Sequence, residues 1–238
     1  MSLLSIAIYA LWLCTGNPGF LTVSDEFELS ESVEHQKLQL PIKSRSEQNV
    51  VEFRFCTVCQ LTQPIRTKHC SDCNACVRTY DHHCPWIGTC VGENNRHLFL
   101  VYLWCEFFTL FWLISNAMMG ILEHAGDRTK LGPMALLIFA IMVMSVFLLM
   151  TGLLGTYHVF LCVSNLTTWE HSAWNRITYL DDLKESKGSP FSHSTVFGNV
   201  RMYFGRLVQR DAQGWIVWRI GPQHSVVPKI FRNCCDSC

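Results

Sequence analysis

Segment 56–90 concentrates side chains that bind metals or act as nucleophiles. It contains seven cysteines and three histidines within 35 residues. They are Cys56, Cys59, Cys70, Cys73, Cys76, Cys84, Cys90, His69, His82 and His83. Two cysteines separated by two residues can reach one tetrahedral zinc ion from a tight turn. The spacing therefore predicts zinc sites in this segment.

Ten candidate ligands exceed the eight that two closed zinc sites use. We expect the surplus thiol and imidazole to lie in the run Asp81-His82-His83-Cys84. A thiol beside an imidazole and a carboxylate is the arrangement of a nucleophile, its general base and the group that orients the base. An alternative stays open, in which all ten side chains serve purely structural metal sites.

Two long apolar segments follow the cysteine cluster. Segment 98–122 carries one charge, Glu106, and segment 131–169 has no Asp, Glu, Lys or Arg. A helix needs about 20 apolar residues to cross a bilayer, so both segments are predicted to span a membrane. The shorter apolar stretch 3–15 has the length of a signal-peptide core, but no Lys or Arg precedes it, and we favour a short membrane helix.

Basic residues predict the orientation of these helices. Segments 17–97 and 165–238 contain eight and nine Lys and Arg residues, whereas the connector 123–132 contains two. By the positive-inside rule, the cysteine-rich segment and the C-terminal segment are cytoplasmic and the connector lies on the far side. The reducing cytoplasm disfavours disulfides, which again indicates metal ligands or reactive thiols.

The composition argues against several classes of protein. Charged residues make up 16% of the chain, and the mean hydropathy is +0.17, so intrinsic disorder is not expected. Lys and Arg equal Asp and Glu in number, 19 against 19. A zinc finger that reads nucleic acid would normally be basic, so that function has little support.

Segment 56–99 resembles the cysteine-rich domain of the DHHC protein S-acyltransferases, or palmitoyltransferases. It matches the pattern C-x2-C-x9-HC-x2-C-x2-C-x4-DHHC-x5-C-x4-N-x3-F without a gap. Thr167-Thr168-Trp169-Glu170 is similar to the family's TTxE motif, and Asn17-Pro18-Gly19 to its DPG motif with Asn in place of Asp. The segment around Asn199 is similar to the family's aromatic C-terminal motif.

The resemblance implies a division of the ten side chains. The first zinc would take Cys56, Cys59, His69 and Cys76. The second zinc would take Cys70, Cys73, His83 and Cys90. Cys84 would then be the nucleophile, His82 its general base, and Asp81 the residue that orients His82.

The resemblance also implies the reaction. A long-chain acyl group, such as palmitoyl, would pass from acyl-CoA to Cys84 and then to cytoplasmic cysteines of protein substrates. Arg66 and Lys68 are expected to contact the phosphates of CoA, although either could be a solvated loop charge. Trp86 is expected to line the acyl cavity or, equally, to sit at the membrane interface. Thr168 is expected near Asp81, and Asn199 is expected to support the junction between the C-terminal segment and the membrane helices.

The expected fold is a membrane protein with all-α transmembrane helices and a cytoplasmic, zinc-stabilised cysteine-rich domain. The family usually has two helices before that domain, whereas here a single short one precedes it. The predicted segments are a shortened membrane helix 1–15, a cytoplasmic linker 16–52, the zinc domain 53–97, membrane helices 98–122 and 133–163, a lumenal loop 123–132 and a cytoplasmic tail 164–238. The Golgi or endoplasmic reticulum membrane is the expected location.

A second hypothesis is a zinc-stabilised membrane adaptor that binds partners without catalysis. The short N-terminal helix favours it, and the intact Asp81, His82 and Cys84 argue against it. The two hypotheses differ in whether Cys84 becomes acylated.

Overall fold

The structure is a computed structural model that describes residues 7, 10, 13, 16–22, 54–124, 126, 131–177, 189, 191–192 and 195–205. The chain divides into two compact units, one formed by Met1–Thr15 and His97–Phe160 and the other by Gly16–Arg96 and Leu161–Cys238. Most of the predicted linker 16–52 and much of the predicted tail 164–238 lie outside the described residues. Of the predicted helix 1–15, the described residues 7, 10 and 13 are helical.

Two long helices, α1 (Arg96–Glu123) and α2 (Leu131–Ser164), are long and apolar enough to cross a membrane. The predicted segments 98–122 and 133–163 fall within them. Many of their apolar side chains are exposed, as at Phe139 and Leu153, which is unfavourable in water and ordinary in lipid. Hydroxyl groups bond to carbonyls one turn earlier, with Thr109 Oγ1 donating to the Cys105 carbonyl at 2.8 Å. Backbone and hydroxyl groups are thus satisfied without water, as a bilayer requires.

Within the first unit, α1 and α2 pack in antiparallel directions. The rings of Phe99 and His158 meet edge to face, with centroids 5.0 Å apart. Further along, Trp104 of α1 packs on Gly155 of α2. The absence of a side chain at Gly155 is what lets the indole approach the α2 backbone, as small residues commonly do between membrane helices.

Replacing Gly155 with Leu is expected to destabilise the helix pair. A Cβ at Gly155 would already lie 3.3 Å from the Trp104 ring, and the rest of a leucine would have to displace it. Overpacking of this kind costs about 1–3 kcal/mol. Thermal unfolding in detergent micelles would measure the loss. Gly120→Leu on α1 is the matched control, because no atom lies within 4 Å of a Cβ built there. Equal melting temperatures for the two variants would contradict the prediction.

The cysteine-rich segment folds into three β-hairpins made of three-residue strands. The strands are β1 (Arg54–Cys56), β2 (Leu61–Gln63), β3 (Lys68–Cys70), β4 (Ala75–Val77), β5 (His82–Cys84) and β6 (Thr89–Val91). Each consecutive pair is antiparallel, β1 with β2, β3 with β4 and β5 with β6. Isolated hairpins this short are marginal in water. The described part of the domain thus consists of β-hairpins. Because hairpins this short are marginal, further interactions must stabilise them.

The segment with the Asn-Pro-Gly motif lies against β4. Asn17 Oδ1 accepts hydrogen bonds from the backbone N–H groups of Gly19 and Phe20, both at 2.8 Å. The Leu21 N–H donates to the Cys76 carbonyl at 2.8 Å, and Phe20 forms an isolated antiparallel bridge with Val77. The Asn17 side chain thus closes a turn that leads the chain alongside the second hairpin.

The described residues of the second unit also form three short helical elements. They are α3 (Thr168–Ser172), a 3₁₀ helix (Trp174–Arg176) and α4 (Val196–Tyr203). Thr167 caps α3 by accepting a hydrogen bond from the Glu170 N–H, and the Glu170 side chain accepts one from the Thr167 N–H. This capping box explains why a Thr-x-x-Glu sequence begins a helix directly after α2.

Candidate active site

Two groups of four side chains converge from the hairpins. Cys56, Cys59, His69 and Cys76 form the first group. Cys70, Cys73, His83 and Cys90 form the second. Within each group the ligand atoms all lie within 4.8 Å of one another. The groups interleave along the sequence, since the second begins at Cys70 before the first is completed by Cys76. They are the sets that the family resemblance implies.

The distances within the second group suit a tetrahedral zinc ion. His83 Nδ1 lies 3.3 Å from Cys73 Sγ and 3.7 Å from Cys90 Sγ, and the two sulfur atoms are 3.5 Å apart. Zn–S bonds of about 2.3 Å and Zn–N bonds of about 2.0 Å place tetrahedral ligands roughly 3.5–3.8 Å apart. A disulfide would need sulfur atoms about 2.05 Å apart. The geometry fits a shared cation and not a covalent bridge.

The pKa shifts of these thiols are also consistent with binding of a divalent cation. Burial raises the pKa of Cys90, and the neighbouring thiols of Cys70 and Cys73 raise it further. Burial likewise raises the pKa of Cys76, although a hydrogen bond from Gln63 acts in the opposite direction. Buried thiols this close together become thiolates together when a divalent cation supplies the compensating charge. Both groups can therefore hold zinc.

Buried Asp81 and half-buried His82 form a pair beside these groups. His82 Nδ1 lies 2.7 Å from Asp81 Oδ2, and the Asp81 side chain is almost fully buried. The carboxylate also accepts hydrogen bonds from Thr168, through its hydroxyl at 2.7 Å and its backbone N–H at 2.8 Å. Because Nδ1 is held by Asp81, Nε2 is the nitrogen of His82 that is left for another partner.

The Cys84 thiol lies close enough to His82 for each group to shift the pKa of the other. Burial lowers the pKa of His82, but the hydrogen bonds to Asp81 and Cys84 outweigh burial and raise the pKa to about 9. Burial raises the pKa of Cys84, but the bond to His82 and the backbone N–H of Ile87 outweigh it, and the pKa is lowered overall. The pair therefore favours a thiolate beside an imidazolium, the reactive form of a cysteine nucleophile.

The three hairpins share one turn geometry, which explains where Cys84 lies. Cys56, Cys70 and Cys84 stand 14 residues apart, and each ends the first strand of its hairpin. Four residues later every turn has a residue with positive φ. These residues are Gln60 at 57°, Asn74 at 48° and Gly88 at 66°. The third hairpin therefore has the same turn geometry as the two hairpins that carry the paired candidate zinc ligands.

The third turn differs at the position of its second ligand. Cys59 and Cys73 supply that thiol in the first two turns, and Ile87 occupies the position in the third. The backbone N–H three residues after the first cysteine lies near its sulfur in both kinds of turn. In the first turn the Cys59 N–H donates to Cys56 Sγ at 3.4 Å. In the third turn the Ile87 N–H donates to the Cys84 carbonyl at 3.2 Å and also lowers the pKa of the Cys84 thiol. Cys84 thus keeps the backbone donors of a metal-binding turn without the second thiol that would capture a metal.

Replacing Ile87 with Cys is expected to create a zinc-binding site in the third turn. The new thiol would stand beside Cys84 at the spacing of the other two turns, with His82 as a third donor. We expect the zinc concentration that half-inhibits acylation of Cys84 to fall at least tenfold. Titration of acyl labelling with added zinc would measure it. Ile87→Ser is the control without the thiol, and equal zinc sensitivity of the two variants would contradict the prediction.

The Thr-Thr-Trp-Glu segment holds Asp81 in place. Thr168 bonds the Asp81 carboxylate, and the Trp169 N–H donates to the Asp81 carbonyl at 3.1 Å. Glu170 is buried and binds Arg66 through two hydrogen bonds of 2.7 and 2.6 Å. Each of the four residues thus has its own contact. Thr167 caps α3, and Thr168 and Trp169 contact Asp81. Glu170 connects the segment to the loop between β2 and β3.

Arg66 is placed differently from the expectation that it contacts CoA. Its side chain has no solvent exposure. The guanidinium bonds Glu170 and the Asn165 carbonyl and lies 4.3 Å from the centre of the Phe191 ring. A phosphate group in solvent would have to displace Glu170 to reach it. The structure therefore assigns Arg66 to an internal ion pair.

The remaining predicted site residues lie at three separate places in the second unit. Lys68 is half-buried, with its Nζ 3.6 Å from the centre of the Trp169 ring. Trp86 is 78% exposed on the third hairpin, two residues after Cys84. Asn199 donates from Nδ2 to the Val163 carbonyl at 2.7 Å and to Ser192 Oγ at 2.8 Å. Asn199 thus joins α4 to the end of α2.

Sequence reasoning missed Glu170 as the partner of Arg66 and Ile87 as the residue that excludes a second thiol. No local pattern marks the ion pair, because its members are 104 residues apart. The repeat of cysteines at positions 56, 70 and 84 was a usable signal. Aligning the three turns on that repeat would have identified Cys84 as a cysteine of a zinc-binding turn that lacks its partner.

Comparison with known proteins gives consistent similarities. Residues 49–175, about half of the chain, match the family model of the DHHC palmitoyltransferases. Human palmitoyltransferase ZDHHC12 is 35% identical over 175 residues, which are 74% of this chain and 61% of that protein. Palmitoyltransferase ERF2 of Eremothecium gossypii is 33% identical over 51% of this chain and 32% of its own length. The chain thus spans about three fifths of the first relative and less of the second.

Proposed function

Because this chain belongs to the DHHC palmitoyltransferase family, as its sequence predicted, we propose that it is a membrane-bound protein S-acyltransferase. The observation that carries the proposal is the position of Cys84, near enough to His82 for their pKa values to be linked and outside both groups of metal ligands. A cysteine in that position can act as a nucleophile because it is not a metal ligand.

The first step is transfer of the acyl group to the enzyme. The Cys84 thiolate attacks the carbonyl carbon of a long-chain acyl-CoA thioester, the bond to the CoA sulfur breaks, and the CoA thiolate leaves. His82 holds the proton taken from Cys84 and delivers it to the departing sulfur. Asp81, fixed by Thr168, keeps His82 in the required tautomer and stabilises its charge.

The second step repeats this chemistry with a protein thiol. A cytoplasmic cysteine of the substrate gives its proton to His82 and attacks the acyl–Cys84 thioester, which restores the Cys84 thiolate. Both steps exchange one thioester for another, so little driving force is needed. Holding the reacting groups together at the membrane surface supplies much of the rate.

Two zinc ions would have a structural role in this proposal. Cys56, Cys59, His69 and Cys76 hold one, and Cys70, Cys73, His83 and Cys90 hold the other. Bound zinc fixes the hairpins that carry Cys84 and His82, because metal binding and folding are coupled. Neither ion takes part in the acyl transfer.

The membrane and acyl-CoA contacts are assigned on exposure and charge. α1 and α2 cross the bilayer, with the second unit and its catalytic residues on the cytoplasmic side. Trp86, exposed beside Cys84, contacts the acyl chain at the membrane face. Lys68 contacts the CoA phosphates with the part of its ammonium that the Trp169 ring does not cover.

The test is acylation of Cys84. The chain is expressed in membranes with alkyne-tagged palmitate, with Cys234, Cys235 and Cys238 all changed to Ser so that their thiols cannot contribute. We expect hydroxylamine-sensitive label on this protein and none on the same protein with Cys84→Ser. Cys105→Ser is the matched control, because this half-buried thiol of α1 belongs to neither group of metal ligands.

Retention of two zinc ions per chain shows that a variant is folded. Absence of label on a chain that holds both zinc ions would overturn the transferase and favour the non-catalytic adaptor. Label that survives Cys84→Ser would overturn the assignment of the nucleophile.

A further inference from the structure

Helix α4 exposes a mostly apolar side. Val196 is 63% exposed and Phe197 is 70% exposed. At 100° per residue, Val196, Val200, Phe197 and Arg201 lie in succession along one side of the helix. Gly198, Asn199 and Tyr203 are buried, and Asn199 lies across the helix from Phe197. The exposed side of α4 is therefore mainly apolar, whereas a helix on the surface of a soluble protein usually buries its apolar side.

Hydrogen bonds fix α4 to the first residue of α1 and to the last turn of α2, which belong to the same unit as α4. Asn199 Nδ2 donates to the carbonyl of Val163, in the last turn of α2. Tyr203 donates from its hydroxyl to the carbonyl of Arg96, the first residue of α1, at 3.2 Å. Arg96 in turn donates to the Met202 carbonyl at 3.5 Å. The start of α1 and the end of α2 thus share one short helix as a common support.

The exposed side of α4 also carries a positive charge. Arg201 is exposed, and its guanidinium lies 5.6 Å from the centre of the Phe197 ring, on the same side of the helix. An apolar ring and a basic group side by side suit the boundary between acyl chains and phosphates. Arginine can keep its charged end at the headgroups while its stem covers apolar surface.

We propose that this face of α4 lies in the lipid interface, on the side of the bilayer where α1 begins and α2 ends. Val196 and Phe197 enter the upper acyl region, and Arg201 contacts lipid phosphates. Helices of this composition lie in the plane of the interface with their apolar side in the boundary layer. The inference rests on the membrane insertion of α1 and α2 in the proposed function. It makes α4 a lipid-facing support for the helix ends.

Site-specific crosslinking in nanodiscs tests the contact. The photoreactive residue p-benzoylphenylalanine replaces Phe197 in the full chain, and the nanodiscs contain phosphatidylcholine, phosphatidylserine and an alkyne-tagged phosphatidylcholine. We expect Phe197 to give at least fivefold more tagged lipid adduct than the same replacement at Asn175, an exposed polar residue of the 3₁₀ helix. The replacement at Phe139, exposed on α2, reports insertion of the long helices.

The outcomes separate this inference from the proposed function. Lipid adducts at Phe139 together with a Phe197 yield no higher than at Asn175 would overturn the position of α4 and leave membrane insertion standing. Adducts from Phe197 to residues 206–238, found by mass spectrometry, would show that the chain itself covers the face and would also overturn it. Lack of lipid adducts at Phe139 would overturn insertion and this inference together. Zinc content confirms that each variant is folded.

Discussion

Removal of zinc is expected to unfold the three hairpins and abolish acylation of Cys84. The strands have three residues each, and their buried clusters consist largely of the proposed ligands. One cluster joins Cys56 and Cys76 to Leu21 and Leu61, and the other joins Cys70 and Cys90 to Val77. Binding of a structural zinc supplies about 10–16 kcal/mol in small domains. The binding free energy of one ion is therefore comparable to the whole stability of an ordinary domain, which is about 5–15 kcal/mol.

Hydrogen exchange on the full chain in nanodiscs would measure this effect. Treatment with a zinc chelator is expected to remove the protection of backbone amides in 54–91 while α1 and α2 stay protected. Cys76→Ser should bind one zinc ion and lose the same protection in the first hairpin. Cys105→Ser is the matched control for loss of a thiol and should keep both ions. Amide protection that persists in 54–91 after both ions are removed would contradict a metal-dependent fold.

Breaking the ion pair between Arg66 and Glu170 is expected to have the second largest effect. Both side chains are buried, at 0% and 1% exposure. Arg66→Met leaves the Glu170 carboxylate buried without its cation, which costs about 3–5 kcal/mol. The capping of α3 and the contact of Thr168 with Asp81 depend on the same segment. We therefore expect a lower melting temperature and at least a tenfold loss of acyl labelling.

A double-mutant comparison distinguishes this role from binding of CoA. Glu170→Gln should destabilise the chain as Arg66→Met does, and combining the two changes should cost less than the sum, because partners in one network couple by about 0.5–3 kcal/mol. Arg176→Met removes an exposed arginine and is expected to change stability by less than about 0.5 kcal/mol. A raised KM for acyl-CoA with an unchanged melting temperature in Arg66→Met would instead support a phosphate contact.

Local spacing carried much of the site information. The two-residue separation of cysteine pairs predicted metal-binding turns, and the count of ten ligands left Cys84 and an adjacent imidazole for chemistry. The apolar runs predicted α1 and α2 because a membrane helix satisfies its backbone within its own segment, so length and composition suffice. The family motifs then divided the ligands into the two groups that the structure brings together.

The sequence by itself thus determined the types of donor groups, the turns that present them and the helices suited to a bilayer. All of these depend on residues a few positions apart or on one continuous segment. Only the tertiary structure decided that Arg66 pairs with Glu170 and that α4 exposes Val196 and Phe197. Such contacts join residues far apart in the chain, and a buried charge or hydroxyl takes whichever partner the packing brings near. That choice depends on the assembled fold and leaves no mark in local spacing.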